Sequence, residues 1–187
     1  MNKFLAGLAL SLGLGAGAAS ATTYDFTGGN MPSSGGIGYG CMVGGSDPYT
    51  CAVTFNDAGL GISSPGDEDP GMIDSDGGME SLIISFNGFV TVRTLVIGLL
   101  NWVDDFTVET RQGTLVFGPR TPSRTLTLDL YTDYIAISAL PDPGEAPRQR
   151  DFFTVAGMTT AVPLPAGGLL LLGGLGGLAA LRRRKRA

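Results

Sequence analysis

The residues whose types and spacing most clearly suit metal binding or catalysis form a run of acidic side chains between positions 67 and 80. Five of its carboxylates are candidate metal ligands: Asp67, Asp69, Asp74, Asp76 and Glu80. Oxygen ligands on a loop rich in Pro and Gly suit Ca²⁺, although the spacing does not follow the EF-hand pattern of Gly at position six and Glu at twelve. Two interpretations stay open: a calcium site, or a solvated loop that keeps the domain soluble.

Carboxylates can also work in pairs, as they do in glycoside hydrolysis. Such a pair would come from the acidic run or from Asp104 and Asp105, and Trp102, the single tryptophan, would stack on a sugar or pack in the core. The chain contains no histidine, which removes the commonest general base and every Ser-His-Asp or Cys-His device. We therefore expect a non-enzymatic domain, with a secreted carbohydrate-active enzyme as the alternative.

The two cysteines, Cys41 and Cys51, lie on either side of the turn-forming run 44–48. They lack the C-x-x-C spacing of a redox or metal pair. In an oxidising compartment, cysteines on opposed strands are close enough to form a disulfide. Closing a loop of this size would stabilise the fold by about 2–3 kcal/mol. The sequence thus predicts a structural Cys41–Cys51 bond.

Charge is distributed unevenly along the chain. The segment from Thr22 to Ala161 contains six Arg and no Lys against seventeen Asp and Glu, a net charge of −11. Such a domain would be repelled by a phosphate backbone, so we expect no binding to nucleic acid. The basic residues are concentrated at the end of the chain: Arg182, Arg183, Arg184, Lys185 and Arg186.

Short apolar runs separated by turn residues dominate the segment 22–161, which has the size of a single domain. Strands are predicted over 39–43, 50–55, 81–86, 89–99, 105–110, 114–117, 125–130, 134–138 and 152–155. Asn87-Gly88 predicts a hairpin turn, because both residues tolerate positive φ. The start, 22–34, is rich in Gly and Ser, and 31–36 is interpreted as a loop. Together these features predict an all-β fold, an antiparallel β-sandwich of the jelly-roll type.

The N-terminus has the three parts of a secretory signal peptide. Lys3 precedes the apolar run 4–19, and Ala19 and Ala21 supply the small residues at −3 and −1 that signal peptidase requires. The predicted signal peptide is therefore 1–21, and the mature chain would begin at Thr22. An uncleaved anchor helix is the alternative.

The C-terminal segment 162–187 also has three parts. It starts with Val162, Pro163, Leu164, Pro165 and Ala166, continues with the apolar stretch 167–181, and ends with the basic cluster 182–186. As a helix, the apolar stretch would rise about 22 Å, which is short of the ~30 Å hydrocarbon core. The basic cluster would stay in the cytoplasm. This pattern predicts a short transmembrane helix that is a weak permanent anchor.

The tail resembles the VPLPA-CTERM variety of the PEP-CTERM sorting signals, in which a Val-Pro-x-Pro motif precedes a short apolar helix and a terminal Arg cluster. The resemblance covers 162–186 and is specific in order, spacing and composition. It implies that Val162–Ala166 is recognised by exosortase, a membrane cysteine transpeptidase of Gram-negative bacteria that make exopolysaccharide.

The resemblance also implies where the protein goes. The chain would be exported, held briefly in the inner membrane by its C-terminal helix, and then sorted to the cell surface or extracellular matrix. Signal peptidase and exosortase would be its processing partners, and exopolysaccharide a further candidate partner. A stably anchored envelope protein is the remaining alternative.

Overall fold

The computed structural model describes residues 20–29, 36–44, 51–65, 70–75, 78–99, 105–118, 124–140 and 152–162, together with Gly174. These residues contain ten strands: β1 Ser20–Asp25, β2 Ile37–Val43, β3 Ala52–Asn56, β4 Gly59–Ser63, β5 Ile73–Asp74, β6 Glu80–Gly98, β7 Phe106–Thr110, β8 Gly113–Phe117, β9 Thr125–Ala139 and β10 Phe152–Val162. All ten belong to one structural unit, Ser20–Pro163.

The strands pair antiparallel in the order β3-β4-β10-β6-β9-β7-β8, with β1 and β5 added to β10 and β2 added to β6. Strand β6 is the longest. Its first half lies between β2 and β9, and its second half lies between β10 and β9. The prediction of an antiparallel all-β fold is confirmed.

Apolar side chains that alternate along the central strands form the core. On β6, Leu82 and Ile84 are buried before the midpoint of the strand, and Val92 is buried after it. Ile135 and Ile137 of β9 are also fully buried. This period of two is what a strand with one face against the core requires. Strand 125–130 follows its predicted alternation, because Leu126 is buried while its neighbours are exposed.

The predicted hairpin at Asn87-Gly88 is wrong, because β6 continues straight through these residues. Ser85 pairs with Tyr134 and Val90 pairs with Thr132, so β6 inserts extra residues against an almost continuous β9. The insertion is a β-bulge. The positive φ of Gly88, 115°, therefore serves a bulge and not a turn.

Other strand boundaries also differ from the prediction. The predicted strands 125–130 and 134–138 are one strand, β9, and β10 extends seven residues beyond the predicted end at Val155. Strands β1, β4 and β5 were not predicted. Strand β1 forms by pairing with β10, which is more than one hundred residues away in the sequence. Local sequence carries no signal for such a pairing.

Candidate functional site

Two of the five predicted metal ligands, Asp74 and Glu80, come together in the interior. Asp74 ends β5 and Glu80 begins β6, and their exposed fractions are 2 % and 0 %. The Asp74 backbone N–H donates to Glu80 Oε2 at 3.2 Å, and the Ser64 hydroxyl donates to Glu80 Oε1 at 3.0 Å. Asp67, Asp69 and Asp76 lie outside the described residues.

The hydrogen bonds give Glu80 a structural role. A buried carboxylate is costly unless its oxygens accept hydrogen bonds. Here each oxygen accepts one, from Ser64 after β4 and from Asp74 in β5, so the side chain ties two elements to the start of β6. Within the described parts of the chain, no group of three or more His, Cys, Asp or Glu side chains is placed to hold a metal ion. The calcium site stays a prediction.

The residues proposed for glycoside hydrolysis are only partly described. Asp104 and Trp102 lie outside the described residues. Asp105 immediately precedes β7, and its backbone carbonyl accepts a hydrogen bond from the Leu140 N–H at 3.0 Å. This bond closes the end of the β7–β9 pairing, so the backbone of Asp105 contributes to the sheet.

The predicted disulfide is present. Cys41 lies in β2 and Cys51 immediately precedes β3, with their Cα atoms 6.1 Å apart. However, the expectation that the cysteines lie on opposed strands is wrong. Cys41 is paired with Leu82 of β6, whereas β3 pairs with β4. The disulfide therefore links β2 to the residue before β3, and no pairing between these two strands occurs among the described residues, so the bond constrains tertiary structure and not a hairpin.

Three aromatic side chains, from β2, from β3 and from the residue after β1, pack against one another. The ring of Tyr39 meets that of Phe55 edge-on, with centroids 5.4 Å apart, and that of Phe26 at 6.1 Å. The Tyr39 hydroxyl is buried and has no hydrogen-bond partner among the described residues. Burial raises the pKa of Tyr39, and the nearby Tyr24 adds to the effect. The phenol therefore stays neutral in this contact between β1, β2 and β3.

The two predicted processing sites lie on neighbouring strands. Strand β1 pairs with β10 so that Ser20 faces Val162 and Ala21 faces Ala161. Ala21 precedes the predicted signal-peptidase cut, and Val162 is the first residue of the predicted sorting motif. A cut after Ala21 would leave Thr22–Asp25 paired with β10.

The remainder of each processing signal lies outside the described residues. This applies to Ala19, to Pro163–Ala166 and to the basic cluster 182–186. It applies also to the predicted helix 167–181, apart from Gly174. Among the helical residues that the structure describes, none belongs to a helix long and apolar enough to cross a membrane.

An open groove of about 300 Å³ lies along the β1–β10 pairing. Tyr24, Val96 and Met158 contribute to its lining. Asp25 at its margin accepts hydrogen bonds from the hydroxyl of Thr27 at 2.7 Å and from its N–H at 3.0 Å. These bonds lower the pKa of Asp25, the hydroxyl more than the N–H. No sequence pattern predicted this groove, because strand β1 itself was not predicted.

Exposed apolar residues form two further features that sequence patterns did not predict. Phe89 and Tyr131, each 47 % exposed, stack with ring centroids 5.1 Å apart. Leu115 and Val116 project from β8, at the end of the sheet. Apolar type and strand propensity predict burial for all four residues, and their exposure is seen only in the folded sheet. No protein-family model, curated protein or solved structure matches the chain.

Proposed function

We propose that this protein is an exported, non-enzymatic surface or matrix protein whose β-sandwich ectodomain is sorted by exosortase. The tail 162–186, with its Val-Pro-x-Pro motif, apolar stretch and Arg cluster, is the feature of the sequence that points to this function. One structural observation carries the proposal further. Among the described residues, β10 reaches Val162, the first residue of the motif, and pairs it with Ser20, so the motif follows directly on from the central sheet in the sequence.

The β1–β10 pairing suits a processing substrate. Ala161 is held on both sides, by Ala21 of β1 and by Thr91 of β6. Beyond it, the residue before each proline avoids the α region, which favours an extended segment at 162–166. Peptidases accept extended backbone, so an extended motif directly after β10 in the sequence would suit cleavage.

Two contacts support a sandwich as the architecture of this ectodomain. The rings of Phe106 in β7 and Phe153 in β10 have centroids 5.2 Å apart. These strands are three positions apart in the sheet order, which is about 14 Å in a flat sheet with strands ~4.8 Å apart. The Cys41–Cys51 bond likewise joins strands that are not neighbours. A sheet that folds over into two packed layers accounts for both contacts.

The buried carboxylates favour a structural ectodomain over a carbohydrate-active enzyme. A retaining or inverting glycosidase needs two carboxyl groups that face a sugar across a gap. In contrast, Glu80 is fully buried and uses both oxygens for hydrogen bonds to Ser64 and Asp74. Release of sugar from polysaccharide by the purified protein would favour the enzyme alternative.

The proposal is tested by replacing the prolines of the motif in an exosortase-bearing host. Pro163→Ala with Pro165→Ala should impair removal of the tail, because the segment loses its bias toward extended backbone. The mass and location of the ectodomain measure processing. Pro141→Ala with Pro143→Ala is the matched control, since these prolines have the same spacing outside the motif.

A second variant in the same host tests the basic cluster. Each Arg opposes passage through the bilayer by roughly 2.5–3.5 kcal/mol on insertion scales. Replacing 182–186 with neutral residues should therefore let the tail slip through the membrane before sorting. If both variants are processed like the wild type, or if the wild-type tail remains uncut, a plain membrane anchor is the better account.

A further inference from the structure

Strand β8 is the last strand in the sheet order, and no described strand pairs with its outer edge. It pairs with β7 from Phe106↔Phe117 to Thr110↔Gly113. Among the described residues, no other strand pairs with it. The N–H and C=O groups on its outer edge can therefore pair with another strand, as in β-strand addition.

The composition of β8 makes this open edge unusual. Proteins commonly protect edge strands with charges, prolines or bulges. The sequence of Gly113–Phe117 is Gly-Thr-Leu-Val-Phe, which contains no charge and no proline, and its pairing with β7 has no register shift. Val116 is 68 % exposed and Leu115 is 40 % exposed. The edge thus combines backbone groups that no described strand pairs with and exposed apolar side chains.

We propose that β8 pairs antiparallel with β8 of a second copy of this chain, so that two sheets join into one. Charge restricts where two copies can meet. The ectodomain carries a net charge of −11, so two copies repel each other over most of their surface. Strand β8 is a neutral stretch on which they can meet without placing like charges opposite each other.

Self-pairing about Leu115 also gives a complementary register. Leu115 would face Leu115 of the other copy, and Thr114 would face Val116. Gly113 would face Phe117, which matches the way an aromatic side chain covers a cross-strand glycine. Because the same residues meet on both sides, the contact is isologous and closes as a dimer.

The pairing would extend the core of each copy. Leu115 lies opposite Val108 of β7, and Phe117 lies opposite Phe106; both β7 residues are fully buried. The rings of Phe106 and Phe117 already stack, with centroids 4.9 Å apart. In the dimer the Leu115 side chains would cover each other beside this cluster, and burial of their exposed apolar surface would favour association.

The first test measures association of the full chain in a mild, density-matched detergent by sedimentation equilibrium. The wild type should change from monomer to dimer as its concentration rises. Val116→Lys should raise the dissociation constant about tenfold or more, because it places a charge beside the neutral edge. Thr127→Lys, an equal change in charge on an exposed site of the central strand β9, should leave the constant unchanged.

The second test examines the proposed register by disulfide cross-linking, which traps a dimer covalently even when its affinity is low. Leu115→Cys should form an intermolecular disulfide under mild oxidation, because directly opposed Cβ atoms lie ~4.5–5.5 Å apart. Val116→Cys is the matched control: it is more exposed but would face Thr114, so it should cross-link much less. A wild type that stays monomeric, equal cross-linking of the two cysteine variants, or equal loss of dimer in Thr127→Lys would overturn the proposal.

Discussion

The two end strands of the sheet, β3 and β8, differ in what surrounds them. Both pair antiparallel with one neighbour in the sheet order. At β3, a disulfide holds the residue before the strand, and the last residue, Asn56, accepts a backbone hydrogen bond from Gly29 at 3.1 Å. At β8, the turn that precedes the strand is held by an exposed ion pair between Arg111 and Asp133. Tertiary contacts therefore anchor β3 near both of its ends, whereas no described strand pairs with the outer edge of β8.

The neighbourhoods of the two strands differ in the same way. Beside β3, Leu60 and Ile62 of β4 are fully buried, and the Asn56 amide donates to Gly71 O at 2.7 Å. In β8, the residues from Gly113 to Val116 are all exposed. Disruption at β3 must therefore disturb the core, whereas changes on β8 need not. We expect the stability of the monomer to depend on the β3 side and its association to depend on the β8 side.

The largest effect is expected where backbones touch beside β3. A Cβ atom on Gly61 would lie 1.8 Å from Gly71 O, so Gly61→Ala must push the two segments apart. That movement would break the backbone bonds of Ile62 to Met72 and Gly71, which measure 2.9 and 2.7 Å. We expect a loss of about 3 kcal/mol in the free energy of unfolding, typical of severe overpacking, measured by urea denaturation.

Gly118→Ala is the matched control for this substitution on the β8 side. A Cβ atom at Gly118 would meet nothing within 4 Å. The change in unfolding free energy should stay within about 0.5 kcal/mol, as for most surface substitutions. Equal losses in the two variants would show that the two sides of the sheet are packed alike.

Removal of the disulfide should cause the second-largest loss of unfolding free energy, somewhat smaller than that of Gly61→Ala. Cys41→Ala with Cys51→Ala should lower the unfolding free energy by about 2–3 kcal/mol, because the unfolded chain regains the freedom of the closed loop. Alanine is chosen instead of serine because Cys41 is only 5 % exposed, and a serine would bury a hydroxyl group there without a hydrogen-bond partner. Chemical denaturation measures the loss.

Reduction of the wild type provides the control for the cysteine substitutions. The reduced protein and the double variant should lose the same stability if the bond, and not the packing of the sulfur atoms, is responsible. Dimerisation through β8 should persist in both. A double variant as stable as the oxidised wild type would remove the main structural difference between the two edges.

Sequence predicted the strands of this fold better than their arrangement. The alternation at 125–130 and the presence of a Cys41–Cys51 bond follow from local residue types, and both are found. The β1–β10 pairing is absent from any local pattern, because Ala21 and Ala161 meet only in the folded sheet. The prediction of a hairpin turn at Asn87-Gly88 was wrong for a related reason. Tolerance of positive φ suits a bulge as well as a turn, and the pairing of β6 with β9 on both sides of these residues favours the bulge.

The candidate sites were predictable to different degrees. Clustering of acids predicted that Asp74 and Glu80 would lie close together, but not that both would be buried. Burial depends on Ser64, which lies sixteen residues before Glu80 and whose hydroxyl satisfies one carboxylate oxygen. The open edge at β8 could not be predicted either, because a strand is an edge only by its place in the sheet order.

The smallest expected effect concerns the ion pair at the start of β8. The Arg111 guanidinium donates to both carboxylate oxygens of Asp133, with its Nη2 at 2.8 Å from Oδ2. The hydrogen bonds from Arg111 lower the pKa of Asp133 below its ordinary value of 3.8. Because the folded-state pKa is depressed, the stabilisation is present above the unfolded pKa and is lost as pH falls through the folded value.

Arg111→Gln tests how little this ion pair contributes to the open edge. NMR titration of the Asp133 carboxyl should show its pKa rising toward the ordinary value, while the unfolding free energy at neutral pH barely changes, because solvent screens an exposed pair. Arg93→Gln, which breaks the other Arg–Asp pair at Asp129, should leave the Asp133 titration unchanged. If Arg111→Gln lowered the unfolding free energy as much as removal of the disulfide does, the ion pair would anchor the turn before β8 as strongly as the disulfide anchors β3. The expected small change means instead that β8 is held by its backbone pairing with β7, which leaves its outer edge free for a second strand.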